Sequence, residues 1–210
     1  MSKSGRHSLS SPCLDCFGML ESNISILYSA LAERVTLPFV KSLFESIAKD
    51  DVHHSASLKD ASEQLTKQKT KQNGKEKLEN LYDITFVIYS QIVTKEEEQE
   101  QLKTDELFAL TGKLMLLEKT LRQKYIDARV KTLKATNKET LLEQHRILSN
   151  FGSLFERLID DSEQHQKILG TIQSLLEQEA PGNVEFGALN ICLPEEKVKV
   201  KSLAGRVKHP

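Results

Sequence analysis

The chain has 210 residues, 39% of them apolar, and its 29 Lys and Arg nearly balance its 30 Asp and Glu at a formal charge of −1. That balance gives no electrostatic argument for a nucleic-acid or membrane partner, and no run of about eighteen apolar residues is present to span a bilayer. Three cysteines do not make a disulfide framework, and the polar start MSKSGRHSLSSP lacks the apolar stretch of a secretory signal, so a soluble protein of a reducing, cytoplasmic compartment is expected.

Between Pro38 and Pro181 there is no proline, and glycine is confined to Gly74, Gly112, Gly152 and Gly170. Turns and strands draw on both residue types, while Lys, Glu, Leu, Gln and Ala, which dominate this interval, favour helix. The chain is therefore expected to be all-α. Residues 1–11 are polar and Ser-rich and are expected to be disordered. Ser11 and Pro12 read as a cap and a first helical residue, opening a helix to about Val35 that buries Phe17, Leu20, Ile24, Leu27, Tyr28 and Leu31. Thr36-Leu37-Pro38 is a tight break, and a second helix follows to about Gln64. So short a connection makes these two antiparallel neighbours.

The polar stretch 65–75 carries the Asn73-Gly74 turn signal. A further helix is expected over about 76–93, with Leu78, Leu81, Tyr82, Phe86, Tyr89 and Ile92 as its apolar residues. The charged run Lys95–Gln101 continues it or links it onward. The next long helix spans about Asp105–Lys134, Asn137-Lys138-Glu139 marks a turn, and the last long helix spans about Glu139–Glu177 before Pro181-Gly182. The tail 181–210 has no helical period, and its Lys197–Lys201 alternation is a weak strand signal.

The long helices carry ionisable groups on their buried stripes. In the second helix the seam is Val40, Phe44, Ile47, Asp51, His54 and Leu58, with steps of three and four. Glu21 lies between Phe17 and Ile24 on the apolar face of the first. The seam of the third long helix, Leu107, Thr111, Leu114, Glu118, Leu121, Tyr125 and Ala128, contains Glu118. That of the last, Phe151, Phe155, Leu158, Ser162, His165, Leu169 and Ile172, contains His165. An unpaired carboxylate in a core is very costly. If these groups meet at one level, a divalent cation that neutralises carboxylates and accepts imidazole nitrogens accounts for them. Four-helix bundles are known to build such centres from one Glu on each of two helices and a Glu-x-x-His pair on each of the others.

On these residues the chain resembles the ferritin-like superfamily and, within it, the rubrerythrin-type diiron proteins. Glu21 is followed seven residues on by Tyr28, as in the first helix of that family, and Glu118 is followed by Tyr125 at the same spacing. Ile47-Ala48-Lys49-Asp50-Asp51-Val52-His53-His54 is similar to the family's Ile-Ala-x-Glu-Glu-x-x-His, and Leu158–His165 to its second such element. The similarity covers about 16–64 and 105–175. It implies a ferritin-like four-helix antiparallel bundle over 12–180, with an extra helix at about 76–100 inserted in the crossover and a pseudo-twofold relation between the two helix pairs. It implies iron, as a diiron pair, or manganese, held by Glu21, Asp51, His54, Glu118, His165 and Asp161, with Tyr28 and Tyr125 hydrogen-bonding those ligands. The activity implied is redox chemistry on peroxide or oxygen, in a homodimer served by a separate electron donor.

The sequence departs from the family pattern in four places. Asp51 stands for Glu, Ser162 for the second Glu of the His motifs, Leu121 for a further Glu, and the rubredoxin domain with its paired Cys-x-x-Cys knuckles is absent. An incomplete centre, a single metal, and a bundle that has lost its metal and acts as a helical scaffold therefore all stay open beside the diiron reading. A cage-forming iron store fits less well, given the interrupted crossover and the long tail. His53 and His145 read as surface or rim residues. Cys13-Leu14-Asp15-Cys16 is a lone Cys-x-x-Cys. Only Cys192 and scattered histidines remain to complete a zinc site, a helix N-terminus suits thiol redox chemistry, and the plain alternative is two semi-buried cysteines.

Overall fold

A computed structural model describes residues 13–67, 78–97, 101–136 and 142–179. The segment 1–11 with the Ser11-Pro12 signal, the turns at Asn73-Gly74 and Asn137–Glu139, the tail from Pro181, Cys192 and the side chain of His145 fall outside the described residues. The chain divides into Met1–Glu179 and Ala180–Pro210, and all the described helices belong to the first unit. They are α1 (Leu14–Arg34), α2 (Pro38–Lys67), α3 (Glu79–Glu97), α4 (Thr104–Thr136) and α5 (Leu142–Glu179). Among the described residues there is no strand, and no helix is long and apolar enough to cross a membrane.

The first helix begins later than the Ser11-Pro12 signal suggests. Its N-cap is Cys13, whose sulfur accepts the Cys16 N–H. Pro38 does open α2, at the position where a missing N–H costs nothing. The seams expected in α1, α2, α4 and α5 are buried throughout, ionisable members included. In α3 the buried line is Leu78, Leu81, Thr85, Ile88 and Ile92, whereas Phe86 is 71% exposed and Tyr89 is also exposed. Thr85 enters that line because its hydroxyl donates to the Leu81 carbonyl and needs no partner from another helix.

Pairings between helices establish their directions. Gly18 meets Ser55 and Tyr28 meets Phe44, so α1 and α2 are antiparallel. Arg122 with Glu163 and Arg129 with Glu156 make α4 and α5 antiparallel. Tyr28 with Glu118 and Tyr125 with Glu21 run α1 against α4, and His54 with Asp161 and His165 with Asp50 run α2 against α5. Helices α2 and α4 therefore point the same way, and the chain must travel the length of the bundle between them. The α3 helix makes that crossing, packing on α1 and α4. Its Tyr82 hydroxyl donates to the Cys16 carbonyl at one end, and beyond its other end the Leu102 N–H donates to the Arg34 carbonyl. This is the ferritin-like bundle with an inserted crossover helix that the sequence led us to expect.

The interior is an aliphatic and aromatic column. Phe17 lies 5.2 Å from Tyr125 and 6.0 Å from Phe155 between ring centroids, and Tyr28 stacks on Phe44. Full burial of one such side chain is worth about 1.5–3 kcal/mol. At Gly18 the two N-terminal helices come close: the Ser55 hydroxyl donates to the Gly18 carbonyl at 2.8 Å, and a Cβ on Gly18 would lie 3.4 Å from the Ser55 carbonyl oxygen. A methyl fits there at ordinary contact distance, already touching Leu58 and Lys59. Gly18→Ala is expected to leave stability unchanged or raise it by up to about 1 kcal/mol, and Gly18→Leu to lower it by about 1–3 kcal/mol, as read by urea denaturation.

Candidate metal centre

The heptad-like seams bring one ionisable level of each long helix to the bundle axis. Glu21 from α1, Asp51 from α2 and Glu118 from α4 are each only 1% exposed. His54 from α2 and His165 from α5 are buried beside them, with ring centroids 6.0 Å apart. The inner nitrogen of each imidazole faces carboxylates. His54 Nδ1 lies 3.6 Å from Glu21 Oε2 and 3.7 Å from Asp51 Oδ1. His165 Nδ1 lies 3.5 Å from Glu118 Oε1 and 3.8 Å from the same Asp51 oxygen. Asp51 thus stands between the two histidines.

The outer side of the centre is organised crosswise. Asp161 on α5 sits 2.9 Å from His54 Nε2 on α2, and Asp50 on α2 sits 3.6 Å from His165 Nε2 on α5. In each helix the aspartate precedes its own histidine by four residues, one turn, and serves the histidine of the other helix. Asp161 is half-buried and touches the outer nitrogen rather than the inner volume. The carboxylates are held crosswise as well: the Tyr28 hydroxyl donates to Glu118 Oε1 at 2.8 Å, and the Tyr125 hydroxyl donates to Glu21 Oε1. Each tyrosine therefore reaches the glutamate of the partner helix, not the one seven residues before it.

These bonds leave an inner set of atoms unserved. Glu21 Oε2, Asp51 Oδ2 and Glu118 Oε2 are buried without a hydrogen-bond partner, a costly state for carboxylates. Glu21, Asp51 and His54 offer ligand atoms within 4.8 Å of one another. Oxygen and imidazole donors of this kind suit iron, manganese or zinc, and His54 has its far nitrogen hydrogen-bonded to a carboxylate, as metal-bound histidines do, while His165 Nε2 is buried without a hydrogen-bond partner. The residues present fit a divalent cation.

Electrostatics agree with that fit. Burial, followed by neighbouring carboxylates, lifts the Asp51 carboxyl well above its ordinary range, and burial lifts Glu21 too, against the pull of His54. Burial lowers the histidines, but the facing carboxylates of Asp51 and Glu21 outweigh it and raise His54 to about 11, and that of Glu118 does the same for His165, raised to about 9. Tyr28 rises well above its usual value through burial and then the charge of Glu118. Without a cation, protons accumulate where positive charge is lacking.

Of the residues named from the sequence, Glu21, Asp51, His54, Glu118 and His165 converge, Tyr28 and Tyr125 touch the carboxylates, and Asp161 lies on the outer rim. His53 is exposed. Sequence reasoning missed Asp50. Its signal was present, since Asp50 stands to His54 as Asp161 stands to His165. Arg122, a conceivable partner for Glu118, pairs instead with Glu163. Ser162 is buried where a further carboxylate would face the centre. Cys13 and Cys16 are half-buried, as the plain reading has it, but they are joined in a disulfide.

The family model described as Rubrerythrin matches residues 19–133, which include Glu21, Asp51, His54 and Glu118. No curated protein and no solved structure matches the chain.

In protein freed of metal by a chelator, every resolved shift in the cluster is upward, so the folded state binds more protons than the unfolded chain and stability falls as pH rises. The contributions of His54 and His165 are complete below their ordinary value of 6.5 and are lost as pH climbs toward about 11 and about 9. Chelator-treated protein is expected to melt at a lower temperature at alkaline pH than near pH 6. A melting temperature that holds steady or rises across this window would contradict the assignment.

Proposed function

Since the chain belongs to the rubrerythrin family, we propose that it is a ferritin-like metal-binding protein, a diiron-type redox protein that acts on peroxide or oxygen and takes its electrons from a separate donor. The observation that carries this reading is the trio of buried carboxylate oxygens without partners, opposite the inward nitrogens of two histidines. Glu21 and His54 would hold the metal on one side, Glu118 and His165 on the other, with Asp51 shared between them. Iron, with manganese as the alternative, supplies one-electron cycling when bound.

The chain's own residues do the rest. Asp161 keeps the His54 proton on Nε2 and so presents the Nδ1 lone pair inward, while Asp50, 3.6 Å from His165 Nε2, faces that ring without a hydrogen bond. Tyr28 and Tyr125 fix the rotation of Glu118 and Glu21 by holding one oxygen of each. Phe17, Phe155, Leu114 and Leu158 keep the surroundings apolar, which strengthens every charge interaction inside and excludes bulk water. Asp161 and Asp50 are the exposed end of the cluster, and small oxidants and cations would approach along that side. A homodimer, as the family resemblance implies, is part of this proposal.

Ser162 favours a second reading, in which the bundle has lost its metal and serves as a helical scaffold. The two readings separate on metal content. Protein purified from iron-supplemented cells is expected to carry about one to two ions per chain, and anaerobic Fe(II) loading followed by peroxide to give ferric absorbance. Glu118→Gln and Asp51→Asn should each lower metal content about tenfold or more, with helix content by circular dichroism unchanged. A folded protein that takes up neither Fe(II) nor Mn(II) would establish the scaffold instead.

The role given to Asp161 has its own test. Asp161→Asn is expected to weaken Fe(II) affinity by about 10–100-fold without changing the number of ions bound at saturation. A drop in the saturating number would make Asp161 a ligand.

A further inference from the structure

Cys13 and Cys16 lie outside the proposed metal centre, and their disulfide closes the first turn of α1. That turn is already closed by the Phe17 N–H, which donates to the Cys13 carbonyl at 3.2 Å. A bridge over so short a loop removes little freedom from the unfolded chain, so stabilisation does not explain it. Both cysteines are half-buried rather than enclosed in the core. The Cys16 N–H points at Cys13 Sγ at 3.3 Å, and the α1 N-terminus lends further positive potential, which together favour a thiolate at Cys13 once the bond is broken.

The pair is also wired to the centre. Glu21 lies five residues beyond Cys16 on the same helix, about 8 Å along its axis. Phe17, next to Cys16, packs on Tyr125, whose hydroxyl donates to Glu21. Tyr82 anchors the crossover helix to the Cys16 carbonyl, which holds the turn in place.

We propose that Cys13 and Cys16 form a redox-active dithiol–disulfide couple through which an external dithiol protein of the thioredoxin class delivers electrons to the chain. In the first step the external dithiol gives up two electrons and two protons and closes to its own disulfide. The Cys13–Cys16 S–S bond breaks, and each sulfur gains one electron and one proton. In the second step, which rests on the metal-centre reading above, the bond would re-form and two protons would leave to solvent, and the two electrons released would serve to reduce two ferric ions held by the residues of that centre.

The experiment uses the full chain in a Cys192→Ser background, so that only this pair reports. Protein equilibrated in mixtures of reduced and oxidised glutathione, then trapped with a maleimide, is expected to pass in one two-electron transition from no added label to two, with circular dichroism unchanged. Thiols that stay reduced in oxidised glutathione, or a disulfide that opens only on unfolding, overturn the couple whatever the metal content. Iron-loaded protein is then reduced by thioredoxin with its reductase, and separately by dithionite. Cys13→Ser and Cys16→Ser should slow the first at least about tenfold and leave the second and the iron content unchanged. Equal rates in the variants overturn electron delivery. Absence of bound iron instead refutes the metal reading and, with it, the second step, while the labelling result still decides the first.

Discussion

Three carboxylates lie in a water-excluded column, and the rest of the bundle is arranged around that fact. In a core of Leu, Ile and Phe, the desolvation of Glu21, Asp51 and Glu118 would be costly for each alone. Two imidazoles even when protonated leave one negative charge uncompensated, so the chain must either bind extra protons or bind a cation. The upward shifts of Asp51, Glu21, His54 and His165 are the first solution. The partnerless inner oxygens show what the second would use. Metal ligation and proton binding compete for the same atoms, which ties the chemistry of the centre to the stability of the bundle.

The contacts that hold the centre are exchanged between helices. Tyr28 serves Glu118 and Tyr125 serves Glu21, while Asp161 serves His54 and Asp50 faces His165. Such exchange needs both helix pairs at one relative height, and it makes the centre a lock on the register of α1 against α4 and α2 against α5. It also shows where symmetry stops. Ser162 occupies the place that Asp51 fills in α2, so Asp51 alone stands between the two histidines.

The α3 crossover helix has a second consequence. Because α2 and α4 run in the same direction, the chain needs a long return, and α3 supplies it while covering α1 and α4. In doing so it places Tyr82 over the turn that contains Cys13 and Cys16, and it leaves Phe86 and Tyr89 on its outer face. The α1 N-terminus is thereby fixed to the bundle at a point joined to Glu21 through Phe17 and Tyr125.

Periodicity along the sequence was enough to determine the buried stripes of the four long helices and their five inward ionisable residues, because residue spacing sets which side chains share a helix face, whereas on α3 Phe86 and Tyr89 turned out exposed. The Glu-to-Tyr and His-containing patterns carried the family resemblance, which the match over residues 19–133 bears out. Only the tertiary structure decided who touches whom. Asp161, one turn before His165, is turned to His54, Asp50 joins the site, each tyrosine reaches across to the other pair's glutamate, and Cys13 bonds Cys16. The physical reason is that contacts between helices depend on their relative height and rotation. Those follow from how whole side-chain surfaces interlock and are not written in the period of any single helix.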